Sequence, residues 1–199
     1  LYAVTGGLEV NPACPDCEYP FNVSIQTWDW DVLNQQIPAS SELWDDHYCQ
    51  GALVAPDWVL TTADCARGKL YNPWGDAALD FLQDLLTDNY NPDGSGDIQL
   101  SDMWVEIGLH AIYDTEGKDS INVINRYIHP NYNHFAGDYN YALLQLSQPS
   151  SFEPIALIQD EFLDNSGQSP IVMGWGGRSG GNATAGLGLP SFSFDASPV

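Results

Sequence analysis

The feature that most constrains this chain is its run of short strand-like segments. "FNVSIQTW", "HYCQGALVA", "DWVLTTA", "MWVEIGLHAI", "INVINRYI", "YALLQLS" and "PIVMGWG" are rich in β-branched and aromatic residues and are divided by Gly, Pro, Asn and Asp. Spacing of this kind predicts a mainly β protein, an antiparallel sandwich or barrel. One segment departs from it. "GDAALDFLQDLLTDNY", residues 75–90, places Leu79, Leu82 and Leu86, with Phe81 and Leu85, at helical spacing, which predicts an inserted helix over about 76–90. Beyond Arg178 the Gly/Ser/Ala-rich stretch 179–199 reads as a loop or a final extended arm.

Charge excludes several functions. The chain has 199 residues, with 27 acidic against 5 basic side chains and a formal net charge of −22. That disfavours nucleic acid and anionic membranes, and favours cations and basic partners. With 44% hydrophobic and 12% aromatic residues, the acidity is not that of a disordered tail. No apolar run is long enough to span a bilayer. The opening "LYAVTGGLEV" lacks the regions of a signal peptide and reads as a mature N-terminus.

Four cysteines, Cys14, Cys17, Cys49 and Cys65, and two Asn-x-Ser/Thr sequons, at Asn22 and Asn182, suit an oxidising, extracellular setting. The "CPDC" stretch is open to zinc or redox readings. Zinc would need two further ligands, and no CxxC or HxxxH partner follows. The surrounding "NPACPDCEYP" is turn-rich, so a local Cys14–Cys17 disulfide is favoured over redox chemistry at a helix N-terminus.

"VTGG", "YPFNVSIQ", "HYCQGALVAPDWVLTTADC", "VEIGLH", "YIHPNYN", "YALLQLSQP" and "VMGWGG" stand in the order found in trypsin-like (chymotrypsin-fold) serine proteases, and the chain resembles that family over most of its length outside the helical segment. The resemblance implies a trypsin-like antiparallel β-barrel and the start of a second barrel over residues 1–178, with the helix and a calcium-type loop inserted at 70–103. It also implies a Cys49–Cys65 disulfide closing the loop that carries the family's histidine.

The family's catalytic groups do not carry over. Its histidine is the general base, an aspartate orients it and a serine attacks the carbonyl. The histidine's place in "TTADC" is taken by Asp64, whose carboxylate (reference pKa about 3.9) is a poor base for a hydroxyl at neutral pH. The aspartate's place in "NYALL" is taken by Asn140, which cannot stabilise an imidazolium; Asp138 stands two places too early. No Gly-Asp-Ser-Gly-Gly-Pro motif follows "GWGG", and "DNSGQSP" precedes it, so catalytic residues are expected to be absent. Of the histidines, His47 falls in a strand, His129 in an "HPNY" turn, and His110 and His134 in loop or surface positions.

A positive signal lies in "NPDGSGDIQLSD". Against a twelve-residue EF-hand-type loop, Asn91, Asp93 and Ser95 fall at ligating positions 1, 3 and 5, and Gly96 at the sharp turn. Asp97 offers its backbone carbonyl, Ile98 the apolar position, Gln99 a water-mediated contact and Asp102 the terminal carboxylate, which predicts Ca2+ binding. A second acidic loop holds Glu116 and Asp119, but Leu109 stands where the family's calcium loop has a glutamate, so no site is expected there.

Two functions follow. The first is a non-catalytic secreted protease homologue acting as a calcium-stabilised binding or structural module, assembling with other protein chains. The alternative is the N-terminal portion of a trypsin-like endopeptidase whose catalytic half is on another chain.

Overall fold

The computed structural model describes residues 8–9, 19–28, 47–68, 97–110, 114–133, 136–157, 171–175 and 192–195. Among them are strands β1 (Leu8–Glu9), β2 (Asn22–Thr27), β3 (His47–Ala55), β4 (Trp58–Thr61), β5 (Met103–Ile107), β6 (Asp119–Ile128), β7 (Ala142–Leu146), β8 (Ile171–Val172) and β9 (Phe192–Asp195). A five-residue helix, α1 (Ala63–Arg67), follows β4, and a single 3₁₀ turn (Leu100–Asp102) precedes β5. The expected helix over 76–90 lies outside the described residues, as do Cys14, Cys17, Asn91, Asp93, Ser95, His134 and Asn182.

Six strands close an antiparallel barrel in the order β2-β3-β4-β7-β6-β5. The alternation that predicted strands also decides what they enclose. Met103, Val105 and Ile107 of β5 face in, as do Ile121 and Val123 of β6 and Ala142, Leu144 and Leu146 of β7. They meet Val23, Ile25, Leu53 and Val59 in one core. Burying side chains of this size contributes roughly 1.5–3 kcal/mol each before conformational entropy is subtracted. Ile98 is buried in the same core, so the end of the "NPDGSGDIQLSD" stretch is pinned to the barrel.

The barrel is sealed where β5 ends. Gly108 adopts φ +84°, and the Phe152 ring occupies the space a side chain there would need. Positive φ and that contact both demand glycine. A second, three-stranded sheet, β1-β9-β8, joins a strand from 179–199 to both the start of the chain and the segment before Gly174.

Candidate functional site

The β4–α1 junction carries the site. Thr62 has extended backbone (ψ 155°), and its hydroxyl accepts the Cys65 N–H, so it caps α1. Gly68 ends the helix in the left-handed region (φ 72°), returning its N–H to the carbonyls of Asp64 and Cys65. The Cys49–Cys65 disulfide ties α1 to β3 across a Cα–Cα distance of 5.8 Å, and the Tyr48 hydroxyl donates to the Cys65 carbonyl at 2.9 Å. Asp64 is thereby held in the first turn of a short, doubly anchored helix.

Asn140 reaches the same place through strand register. Thr61 of β4 pairs with Ala142 of β7, so residue 140, just before β7, stands beside the start of α1. Two hydrogen bonds join the residues reciprocally. The Asp64 N–H donates to Asn140 Oδ1 (3.1 Å), and Asn140 Nδ2 donates to Asp64 Oδ2 (2.6 Å). The other carboxylate oxygen, Asp64 Oδ1, accepts the hydroxyl of Tyr132. The structure thus brings together both predicted positions and adds Tyr132. Both oxygens of the Asp64 carboxylate thus accept hydrogen bonds, one from the Tyr132 hydroxyl and one from the Asn140 amide, and each of these two donors is neutral. Asp138 is exposed and bridges Asn133 through backbone, with the Asn133 N–H donating to its carbonyl at 3.0 Å.

The histidines fall elsewhere. His47 lies in β3, its Nδ1 2.6 Å from the Ser24 hydroxyl and its ring edge-on to Trp175 (centroids 5.7 Å). Burial pushes its pKa down to about 4, so it stays neutral. His129 begins the expected turn, its Nδ1 accepting the Asn131 N–H, and the His110 carbonyl accepts the Trp175 indole N–H at 3.0 Å.

The calcium-type stretch is described from Asp97 onward. Asp97 does not point outward. Its carboxylate is buried, with Oδ1 2.7 Å from Arg67 Nε and Oδ2 3.4 Å from Arg126. Arg126 also donates to the carbonyls of Ala66 (2.9 Å) and Ile98 (2.8 Å), while the Ile98 N–H donates to the Arg67 carbonyl at 3.0 Å. Burial lowers the Arg126 pKa and Asp97 opposes the shift. The reason is local: two arginines drawn into an apolar wall need a counter-charge, and Asp97 is placed to supply it. Only the Asp97 carbonyl is left for a metal, and the Gln99 amide donates to that oxygen at 3.3 Å. Asp102 accepts the Ser101 hydroxyl at 3.4 Å.

In the other acidic loop, the Asp119 carboxylate is taken up by the Ser150 hydroxyl and the Ser151 N–H, each at 2.7 Å, and Leu109 is buried against Trp175. Among the described residues, no three His, Cys, Asp or Glu side chains converge as a metal cluster. Asn22 opens β2 and is half-buried, with its Nδ2, the atom a glycan would occupy, buried among the described residues.

This barrel and its matching sequence define a trypsin-like fold: the family model described as Trypsin matches residues 95–187. Among individual proteins, the chain is similar to Glucanase inhibitor protein 3 of Phytophthora infestans, 29% identical over 132 residues, or 66% of this chain and 40% of that protein. Glucanase inhibitor protein 1 of the same organism is 31% identical over 149 residues, 74% of this chain and 46% of the relative. Trypsin 5G1 of Aedes aegypti is 26% identical over 179 residues, 87% of this chain and 47% of the relative. The chain spans less than half the length of each of these three relatives.

Sequence reasoning missed Tyr132 and the Arg67–Asp97–Arg126 group. A signal for the second was present. Of only five basic residues, Arg126 sits inside the strand-like run "INVINRYI" and Arg67 directly after "ADCA", both settings in which a charge needs a partner.

Proposed function

We propose that this chain is a non-catalytic, secreted, trypsin-like protein that works by binding another protein, and that a glucanase is the class of partner to test first. The observation that carries the reading is the Asp64–Asn140–Tyr132 cluster. It stands where the family's base and its orienting carboxylate would stand, and its carboxylate is engaged at both oxygens. The partner class comes from the names of the glucanase inhibitor relatives. The Cys49–Cys65 disulfide suits an extracellular setting.

The alternative, the first half of an endopeptidase completed by another chain, draws on the similarity to Trypsin 5G1. Completion by a nucleophile-bearing half would still leave no general base at Asp64.

The reading includes calcium in the 91–102 stretch, with Asn91, Asp93, Ser95 and Asp102 offering side-chain oxygens and Asp97 its carbonyl. Ion binding there would draw the Asp97 carbonyl from Gln99 while leaving its carboxylate on the arginines. Calorimetric titration of the purified chain into a purified glucanase tests the central reading. Saturable binding is expected; no heat and no co-migration would remove the proposed partner class.

A further inference from the structure

The outer face of β4, β7 and β6 carries aromatic and apolar side chains beside the polar Asn125 and Gln145, where a solvated sheet face would be mostly polar. Tyr127 pairs with Leu143, and Leu143 with Leu60, so these side chains lie on one side of the sheet, opposite the buried Val59 and Leu144. Trp58 packs against Tyr127 with ring centroids 5.5 Å apart. Past the strand ends, the His129 N–H donates to the Tyr141 carbonyl at 3.2 Å and carries the row onward. The His129 ring stacks on Tyr139 (4.8 Å, 7°) and leans on Tyr141 (4.7 Å, 49°). Tyr127, Tyr139 and Tyr141 are 49%, 52% and 47% exposed. Antiparallel sheets normally turn polar residues to water on such a face, and a contiguous apolar patch marks an interaction site.

Tyr139 supplies an independent observation. It has φ +53°, the left-handed region, and is the only described non-glycine residue there. A bulky side chain in that conformation is strained, and such strain collects at functional positions. Glycine or asparagine would remove it, yet a half-exposed tyrosine stands there, its ring presented on the face.

Charge selects the occupant. The half-buried Asp57 precedes Trp58 and the exposed Asp138 precedes Tyr139, so carboxylates adjoin two of the ring positions in sequence. The nearby Arg126 guanidinium is turned inward, onto Asp97 and the carbonyls of Ala66 and Ile98. A second copy of this chain would bring another net charge of −22 against the first, which repels it. Ring faces attract guanidinium and ammonium groups, and arginine is enriched with tyrosine and tryptophan in protein interfaces. We infer that this face docks a protein surface presenting arginine side chains, which stack on the tyrosine and tryptophan rings while Asp57 and Asp138 engage the rim. The inference rests on the reading of the chain as a binding protein and assigns that binding to one surface.

The test separates ring stacking from bulk charge. Tyr127→Ser/Tyr139→Gly/Tyr141→Ser changes only exposed side chains and leaves the net charge unaltered; circular dichroism checks that the barrel persists. The probe is a peptide of repeated Arg-Gly-Ser triplets, followed by fluorescence at physiological salt, with a Glu-Gly-Ser peptide as control. The wild type should bind the arginine peptide, and the triple variant should bind about tenfold to a hundredfold more weakly. Equal binding by both proteins would mean that net charge alone drives association, and would overturn the inference; so would failure of the wild type to bind, or binding of the glutamate peptide. A purified glucanase of basic isoelectric point forms the second arm. If wild type and variant bind it equally, the surface assignment falls and the binding reading stands. If the arginine peptide discriminates but the glucanase binds neither, the surface assignment stands and the proposed partner class falls.

Discussion

Replacing Asp97 with asparagine should destabilise this barrel far more than an ordinary loop substitution. The Asp97 and Arg67 side chains are each only 4% exposed, and Arg126 approaches the other carboxylate oxygen. Asparagine keeps the shape and removes the charge, leaving two guanidinium groups in a buried wall without their counter-ion. Breaking a buried pair in this way costs about 3–5 kcal/mol. The low end is expected, because Arg126 retains its bonds to the carbonyls of Ala66 and Ile98. For a chain of this size, about 3 kcal/mol corresponds to a drop in Tm of roughly 6–12 °C. Thermal unfolding followed by circular dichroism reads it directly. The partner experiment is Arg67→Met combined with Asp97→Leu, which exchanges the closest pair for apolar side chains and should recover much of the loss. The double-mutant cycle should show coupling of about 1–3 kcal/mol. An Asp97→Asn variant melting within about 0.5 kcal/mol of wild type, or strictly additive effects, would show that these charges are solvated and that the described geometry of the 97–98 segment is wrong.

Two further outcomes are expected. His47 has a folded pKa of about 4 against an ordinary 6.5, so the unfolded chain binds its proton first. Its contribution is present above pH 6.5 and is lost as pH falls through about 4, on the order of 3 kcal/mol in all; His47→Gln should flatten that part of the stability–pH curve relative to wild type, and parallel curves would rule out burial of a neutral imidazole. Calcium should raise the Tm and a chelator lower it by mass action, with Asp93→Ala abolishing most of the difference while the barrel stays folded; identical melting in both conditions would leave 91–102 an acidic turn.

The strand alternation of β5 and β7 was legible, because period-two burial is written directly in residue order. So were the barrel and the nearness of Asp64 to Asn140, which followed from motif order and not from any local propensity. What escaped depended on contacts distant in sequence. Tyr132 meets Asp64 across 68 positions, and Asp97 meets Arg67 across 30, separations that no periodicity reports. The loop template assigns Asp97 only its carbonyl and ignores what the neighbouring arginines require of its carboxylate. Helix α1 begins at the last residue of "DWVLTTA" and carries no periodic signal of its own, since five residues are too few for a helical period to show.

Binding without cleavage is tested most directly by a time course with a purified glucanase. The two proteins are mixed in stoichiometric amounts, complex formation is followed by co-migration, and the glucanase chain is resolved on a gel at each point. The expected result is saturable binding that reverses on dilution while the glucanase chain stays intact. Fragments that accumulate with time and are blocked by a serine-directed inhibitor would contradict the reading of the Asp64–Asn140–Tyr132 cluster as catalytically silent.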